Sequence, residues 1–263
     1  MIKLIATDMD GTFLKDDKTF DLSFFKTYQK LKQENIQFVI ASGNQYQRLF
    51  QKFLPISTEL VYIAENGSLI VNGTKTIYKN KIKQEDLKVI DNIFKNYLEI
   101  FIIMCGEKSA YVKNVNQEYE TVVKTYYCAY QFVEDFDHLN DDILKIAVYD
   151  PNNNIVDFLE AIKPHLPKDL KVVTSGNMWM DIQNKSINKG IAMTKLQQIL
   201  NIDKDECMAF GDQMNDYELL QSVKYGYAMA NAVDPIKEIA YETCLDNNQQ
   251  GVICKIEEYL KTL

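Results

Sequence analysis

The sequence predicts an α/β fold with a Rossmann-like parallel sheet as its core and an inserted α+β domain. Three observations lead to this prediction. Short apolar runs alternate with helical stretches as far as Ala64, which is typical of βαβ units. From about Tyr78 hairpin-like pairs of strands replace this alternation. The alternation of helix and strand then resumes from Asn188.

The first part of the core contains three predicted strands and the two helices between them. Each strand is a short aliphatic run that stops at a polar or glycine-containing turn, the pattern of a parallel strand buried on both faces. The first helix has apolar residues at spacings of three and four, which gives it one apolar face. The predicted strands are 3–7, 37–41 and 60–64, and the predicted helices are 20–34 and 47–53.

The inserted part mixes helices with hairpins, and the returning part of the core again alternates helix and strand. In the insert we predict helices at 84–98, 117–128 and 154–165, a strand at 143–149, a hairpin of 100–105 with 109–113, and a hairpin of 170–174 with 178–182 around Ser175-Gly176-Asn177. In the returning part we predict helices at 189–200 and 216–222 and strands at 206–210 and 225–229. The predicted domains are a core of 1–80 plus 184–263 and an insert of 81–183.

Composition and charge limit the classes of function. Hydrophobic residues make up 46% of the 263 residues, enough for a globular core. The formal net charge of −8 argues against nucleic-acid binding, which needs clustered Lys and Arg, but leaves room for a small phosphorylated ligand. No apolar run reaches the roughly 18–20 residues that cross a bilayer. We therefore expect no nucleic-acid or membrane partner, and a monomer or weak homo-oligomer.

The cysteines and histidines suggest no metal or nucleophile chemistry of their own. The five cysteines contain no CxxC pair, so they predict neither a zinc site nor a disulfide framework. The N-terminus has no secretory signal, and we interpret the cysteines as reduced thiols of a cytoplasmic protein. His138 and His165 have no supporting motif and are expected at the surface.

Two acidic segments follow predicted strands and suggest a metal site. In Asp8-Met9-Asp10-Gly11-Thr12, two carboxylates at a spacing of two can converge on one metal at a turn. In Gly211-Asp212-Gln213-Met214-Asn215-Asp216, two carboxylates and an amide offer the oxygen ligands that suit Mg²⁺. The alternatives are a solvated turn for the first segment and a capped helix start for the second.

Two further segments suggest a phosphate site. Ser42-Gly43 follows the second predicted strand, where a hydroxyl and a glycine let backbone N–H groups approach a phosphate. Lys189-Gly190 opens a helix, where the ammonium can act as a point charge for phosphate. Alone, each segment is better explained as a plain turn or a solvated lysine. All four polar segments are expected at the carboxyl edge of one parallel sheet or at a helix beside it, which favours a common site.

Together these segments resemble the motifs of haloacid-dehalogenase-like hydrolases. The resemblance rests on DMDGT at 8–12, SG at 42–43, KG at 189–190 and GDQMND at 211–216. The insert resembles the cap domain of the Cof-type branch, and TDMDGTFL, ASGNQY, AENGSLI, TSG at 174–176 and Asp181 are similar to bacterial sugar phosphatases. Asn44 stands where many Cof-type members have Arg, as in the sugar-phosphatase group, and Gln250 replaces an acidic residue.

The resemblance implies a magnesium-dependent phosphatase acting on small phosphorylated metabolites, above all sugar phosphates. It implies that Asp8 is the nucleophile that forms an aspartyl-phosphate. Asp10 would protonate the leaving oxygen and then activate water, for which we expect a raised pKa. Mg²⁺ would be held by Asp8, the backbone carbonyl of Asp10 and Asp212, supported by Asp216. The groups implied to contact the substrate or its phosphoryl oxygens are Met9, Ser42, Gly43, Asn44, Lys189 and Asn215.

The insert is expected to select the substrate. Trp179 and Asp181 lie in a predicted hairpin and offer an aromatic face and a carboxylate for a sugar, although Trp179 can equally well pack in a core. Three alternatives stay open at this stage. They are a sugar phosphomutase or a phosphotransferase that uses the same intermediate, and a non-enzymatic regulator switched by phosphorylation.

Overall fold

The computed structural model describes residues 1–97, 99–113, 117–175 and 177–263, with the backbone alone for Gln117, Glu118 and Ser175. The predicted helix end at Leu98 and the predicted hairpin turn at Gly176 lie outside these residues. The strands are β1 (Leu4–Thr7), β2 (Gln37–Ala41), β3 (Val61–Ala64), β4 (Leu69–Asn72), β5 (Lys75–Lys79), β6 (Phe101–Gly106), β7 (Ala110–Lys113), β8 (Tyr130–Val133), β9 (Ile143–Tyr149), β10 (Leu170–Ser175), β11 (Trp179–Asn184), β12 (Cys207–Gly211), β13 (Tyr225–Ala228) and β14 (Glu242–Thr243).

The helices flank these strands in both parts of the chain. They are α1 (Phe24–Gln33), α2 (Tyr46–Lys52), α3 (Gln84–Phe94), α4 (Gln117–Tyr126), α5 (Ile155–Ile162), α6 (Lys189–Leu200), α7 (Tyr217–Gln221), α8 (Asp234–Ile239) and α9 (Gly251–Leu260). The chain divides into two compact units, the first formed by 1–78 with 188–263 and the second by 79–187.

The first unit is built on a mostly parallel sheet in the order β14-β13-β12-β1-β2-β3-β4-β5. Neighbouring strands from β14 to β3 are parallel, and β4 pairs antiparallel with β3. β1, β2, β3 and β12 are aliphatic and almost fully buried, as expected of parallel strands covered on both faces. The predicted α/β class with a parallel sheet is confirmed.

An aromatic cluster fixes α1 and the loop before it against the sheet. Phe13 lies within 6 Å of the rings of Phe20, Phe24, Phe38 and Phe53. Phe20 belongs to the loop and not to the predicted helix, because its ring stacks on Phe53 at 5.2 Å. This packing anchors the loop that follows Asp8, which is the loop that carries several of the polar residues described below.

The second unit contains a sheet in the order β10-β11-β9-β6-β7-β8, antiparallel except for β7 with β8. Alternate residues of β6 face opposite sides, as the period of a strand requires. Ile102 and Met104 join one apolar cluster with residues of α3 and α5. Phe101 and Ile103 join the other, together with Val123 of α4.

Several elements differ from the prediction. β4, β5, β8, β14, α8 and α9 were not predicted, and α1 and α5 are shorter than expected. β5 and β8 are largely exposed and carry polar residues, so they lack the buried aliphatic pattern that reveals β1 and β2. α8 has only six residues and begins with a proline at its first turn, which leaves little periodicity to detect.

Candidate active site

The carboxyl ends of three adjacent parallel strands bring the predicted polar segments together. Asp8 follows β1, Ser42 follows β2 and Asp212 follows β12. The register aligns these ends, because Thr7 of β1 is paired with Phe210 on one side and with Ile40 on the other. Ligands of open α/β sheets bind at such an edge. The structure therefore places these three side chains in one region of the first unit.

Three carboxylates and one ammonium form the centre of this region. Asp8, Asp212 and Asp216 are buried, and each can place one oxygen within 4.8 Å of those of the other two. The Nζ of Lys189 lies 2.5 Å from Oδ1 of Asp8 and 2.6 Å from Oδ1 of Asp216. Three negative charges and one positive charge leave two negative charges uncompensated.

The pKa values reflect this excess of negative charge. Burial raises the pKa of Asp8 well above its ordinary value, the charges of Asp216 and Asp212 add to the rise, and Lys189 opposes it. Burial also raises the pKa of Asp212, to about 6. Burial lowers the pKa of Lys189, but the charges of Asp216 and Asp8 outweigh this and leave it above its ordinary value. The cluster therefore favours a bound cation.

The loop after β12 is held by Asp216. Its Oδ2 accepts hydrogen bonds from the backbone N–H groups of Asp212 at 3.1 Å and Gln213 at 3.2 Å. Its Oδ1 accepts from Lys189. Asp216 thus fixes both the backbone next to Asp212 and the position of the ammonium. Asn215 lies beside it in the short 3-10 helix Met214–Asp216 and is partly exposed.

The loop after β1 is fitted closely to Asp212. Thr12 donates from Oγ1 to Oδ1 of Asp212 over 2.7 Å. Gly11 has a φ of 79°, and a Cβ at this position would lie 2.4 Å from Oδ2 of Asp212. Only glycine fits this conformation and this close approach. The side-chain amide of Asn231 donates to the carbonyl of Gly11 at 2.8 Å and fixes it further.

Asp10 differs from its predicted state. Its side chain is 47% exposed, with Oδ1 at 2.9 Å from Nζ of Lys18 and Oδ2 at 2.9 Å from Nδ2 of Asn44. Partial burial would raise the pKa of Asp10, but the hydrogen bond and charge of Lys18, with Asn44 and Arg48, outweigh it and lower the pKa. The expectation of a raised pKa is therefore wrong for this conformation, because the sequence gave no sign that Lys18 would reach Asp10.

Ser42, Gly43 and Asn44 form a compact turn after β2. The Oγ of buried Ser42 accepts hydrogen bonds from the backbone N–H and the side-chain amide of Asn44, both at 3.1 Å. A Cβ at Gly43 would lie 2.6 Å from Oδ1 of Asn66, so this position has no space for a side chain. The close packing holds Asn44 where it contacts Asp10.

Lys189 owes its position to the start of α6. The side chain of Asn188 caps this helix by accepting from the N–H of Ile191 at 2.8 Å. A Cβ on Gly190 would lie 2.2 Å from the carbonyl oxygen of Glu218, which shows how closely α6 approaches α7. Lys189 is 1% exposed, so its long side chain is held along the helix start and points its ammonium at Asp8.

The other predicted contact residues lie in different surroundings. The side chain of Met9 is 1% exposed, so its backbone is the part that a substrate can reach. Trp179 and Asp181 belong to β11 of the second unit, on one face of the strand. The ring of Trp179 packs against Tyr126 at 5.0 Å and Tyr149 at 4.8 Å. Asp181 forms an ion pair with Lys145 at 3.2 Å.

Sequence reasoning missed Thr12, Lys18 and Asn231. Thr12 lies inside the first motif, so its hydroxyl next to two carboxylates was a usable signal. Lys18 and Asn231 reach the site through loop conformations that no local pattern reveals. Of the surface features, His138 and His165 are exposed as expected. Among the residues that the structure describes, no helix combines the length and the apolar character needed to cross a bilayer.

Comparison with known proteins agrees with this geometry. The family described as haloacid dehalogenase-like hydrolase matches residues 5–256. A 5-amino-6-(5-phospho-D-ribitylamino)uracil phosphatase of Escherichia coli is 34% identical over 262 residues, covering 99% of this chain and 97% of the relative.

Solved structures show the same architecture. A crystal structure from Streptococcus mutans has a TM-score of 0.87 and 31% identity, covering 99% of this chain and 100% of that one. A subclass IIB sugar phosphatase has a TM-score of 0.80 at 18% identity, with 98% of each chain covered, which shows a shared fold. The chain therefore belongs to the haloacid dehalogenase-like hydrolases, in the Cof-type branch of their phosphatases.

Proposed function

We propose that this protein is a Mg²⁺-dependent phosphatase that hydrolyses small phosphorylated metabolites, above all sugar phosphates, through a phosphoryl group carried on Asp8. The observation that supports this most strongly is the buried cluster of Asp8, Asp212 and Asp216 around Lys189. It combines a nucleophile, a fixed ammonium and an oxygen-rich cation site at the carboxyl edge of a parallel sheet.

The donor set fits a hard divalent cation. The carboxylates of Asp8 and Asp212, with the backbone carbonyl of Asp10, would be its protein ligands, and Asp216 would support them. The two uncompensated negative charges of the cluster are those that a divalent cation balances. When bound, the cation would offset repulsion between the carboxylate and the phosphate and help neutralise the phosphoryl oxygens.

The reaction would proceed in two displacements at Asp8. In the first, a carboxylate oxygen of Asp8 forms a bond to phosphorus while the bond from phosphorus to the leaving oxygen breaks. Lys189, Ser42 and the backbone at Gly43 would hold the phosphoryl oxygens, where charge is spread in the transition state. In the second, water attacks the same phosphorus and releases phosphate and the Asp8 carboxylate.

Asp10 would transfer the proton in both steps. It would give a proton to the leaving oxygen and later take one from the attacking water. In the conformation seen here Asp10 is ionised and bound by Lys18 and Asn44. The proton-donating form therefore requires that this contact with Lys18 loosen when the substrate binds.

The class of substrate is proposed on two grounds. The motifs at 8–12, 42–44 and 174–181 are similar to those of bacterial sugar phosphatases. A second candidate is the phosphorylated ribitylaminouracil named for the relative from Escherichia coli, whose phosphate is carried by a polyol chain. Trp179 with Tyr126 and Tyr149 offers aromatic faces of the kind that stack on a pyrimidine ring.

A panel of phosphate esters tests the proposal. The purified protein is incubated with hexose phosphates, pentose phosphates and the phosphorylated ribitylaminouracil, with Mg²⁺ and with excess chelator. We expect inorganic phosphate from at least one ester, with Mg²⁺ alone. An isomeric sugar phosphate without free phosphate would show a phosphomutase, transfer to a second sugar a phosphotransferase, and stable labelling without turnover a regulator. Full activity in chelator would refute the role of the metal.

A further inference from the structure

A basic cluster adjoins Asp10 on the first unit, and the proposed chemistry makes no use of it. The cluster consists of Lys18 in the loop after β1, and Arg48 and Lys52 on α2. Arg48 and Lys52 are four residues apart and share one helix face. The chain carries a net charge of −8, so three cations grouped at an active-site edge run against its overall charge.

Hydrogen bonds join the members of this basic cluster. Nζ of Lys52 donates to the backbone carbonyl of Lys18 at 2.8 Å, and Nζ of Lys18 lies 2.9 Å from Oδ1 of Asp10. Lys52 is partly buried, and within the described chain it forms no ion pair with a carboxylate. Burial lowers the pKa of Lys52, and the charges of Arg48 and Lys18 add to this, which shows that the three cations repel one another.

The loop holds Lys18 in a strained position. Lys18 has a φ of 65°, in the left-handed region that favours glycine. The turn around it is closed by backbone hydrogen bonds from Lys15 to Thr19 at 2.8 Å and from Lys18 to Lys15 at 2.9 Å. Asp16 of the same loop is bound by Asn247 and Asn248. A residue kept in such a conformation beside a reacting group points to a function of its side chain.

Asp10 would meet the leaving oxygen, so groups attached to that oxygen lie near these cations. A hydrogen bond of about 3 Å from Asp10 to the leaving oxygen places it within about 6 Å of Nζ of Lys18. The ammonium of Lys18 is 60% exposed with its side chain and can turn from Asp10 to another anion. Such a turn would also release Asp10 to take up a proton.

We infer that Lys18, Arg48 and Lys52 select phosphate esters whose leaving group carries a second anion, a carboxylate or a second phosphate. This inference rests on the proposed function and specifies its substrates. The second anion would replace Asp10 as the partner of Lys18 and would balance the charge of Arg48 and Lys52. The leaving group then contributes to its own departure, because its binding frees Asp10 to donate the proton.

Matched substrates test the inference with the whole protein and Mg²⁺. Glycerol 3-phosphate and 3-phosphoglycerate differ by one carboxylate, and so do glucitol 6-phosphate and 6-phosphogluconate; glucitol 1,6-bisphosphate supplies a second phosphate. We expect kcat/KM to be roughly threefold or more higher for an anionic member, the size of one charge interaction at about 6 Å in water. The preference should weaken at about 1 M salt, where the Debye length is about 3 Å. The preferred member distinguishes a carboxylate from a phosphate.

Variants identify the residues responsible. Lys52→Met and Arg48→Met should each lower the ratio of kcat/KM for anionic over neutral substrate, by roughly threefold. Lys18→Gly should lower it too while the Tm holds or rises, because glycine relieves the left-handed backbone. Lys26→Met, which removes an exposed lysine of α1, is the control and should leave the ratio unchanged.

The outcomes separate this inference from the function on which it rests. Equal kcat/KM within both matched pairs, or an unchanged ratio in all three variants, would overturn the basic cluster as a selector and leave the phosphatase intact. No phosphate release from any member would overturn the proposed function, and this inference with it.

Discussion

Asp8 is the residue on which the proposed chemistry depends most directly. Asp8→Asn should abolish turnover, because the amide has nearly the same shape but is a poor nucleophile. The fold should persist, since Lys189 keeps its ion pair with Asp216. Steady-state phosphate release measures the loss, and thermal unfolding checks the fold. Activity within tenfold of the parent, about 1.4 kcal/mol of barrier, would show that Asp8 is not the nucleophile.

The sequence predicted which residues would meet, and less well the state of each. Asp8, Asp212, Asp216 and Lys189 were expected in one site because their segments follow strands or open a helix, and the structure places them together. The pKa of Asp10 was predicted in the wrong direction. Its value depends on a contact with Lys18 that requires a left-handed turn, and no spacing in the sequence encodes that turn.

At the scale of elements, the contact of α6 with α7 should tolerate no added volume. Gly190→Ala should lower the free energy of unfolding by roughly 1–3 kcal/mol, because its Cβ would overlap the carbonyl oxygen of Glu218. In an open helix position the same change normally stabilises by up to about 1 kcal/mol. Denaturant unfolding measures the difference, and Lys195→Ala on the exposed side of α6 is the control. An unchanged or raised stability would contradict the tight approach.

The strand β11 should set preference among substrates. Trp179→Ala or Asp181→Ala should lower kcat/KM for the best sugar phosphate by roughly tenfold, the scale of one or two lost contacts. A generic aryl phosphate, which makes few such contacts, should be hydrolysed almost as before. Kinetics on both substrates measure the effect.

Equal losses on both substrates would assign the two residues of β11 to packing. That result would agree with the rings of Tyr126 and Tyr149 around Trp179 and with the ion pair of Asp181 to Lys145. A thermal scan of each variant distinguishes a weakened fold from a lost substrate contact.

Elements were predictable where burial leaves a clear pattern. β9 and α6 have the predicted bounds, since β9 is buried throughout and α6 begins at a capping Asn188. β8 was missed because its central residues are exposed at the edge of the sheet. α9 could have been found, as Val252, Ile253 and Ile256 follow a helical spacing.

At the scale of the whole molecule, the acidic cluster should link stability to pH and metal. The folded pKa of Asp212, about 6, lies above the ordinary value of an Asp, so its contribution is present at acid pH and is lost as pH rises through 6. In chelator the Tm should therefore fall between about pH 4 and pH 7, and Mg²⁺ should restore it at pH 7.

Asp212→Asn is the matched variant for this pH dependence. A neutral amide removes one charge from the cluster, so the variant in chelator should be more stable at pH 7 than the parent, by on the order of 1–2 kcal/mol. It should also respond less to Mg²⁺ and lose activity. A Tm that is flat with pH in the parent protein, with or without Mg²⁺, would contradict the account of the cluster.

The order in which the ribosome delivers this sheet has a consequence for the newborn chain. Leu4 of β1 pairs with Cys207 of β12, and 79–187 form a continuous unit between them. At about 5–20 residues per second, β1 waits roughly ten to forty seconds for that partner. The inserted unit can fold during the wait, whereas β1 keeps an unpaired aliphatic edge. This edge is the segment of the emerging chain that chaperones at the tunnel exit are expected to bind.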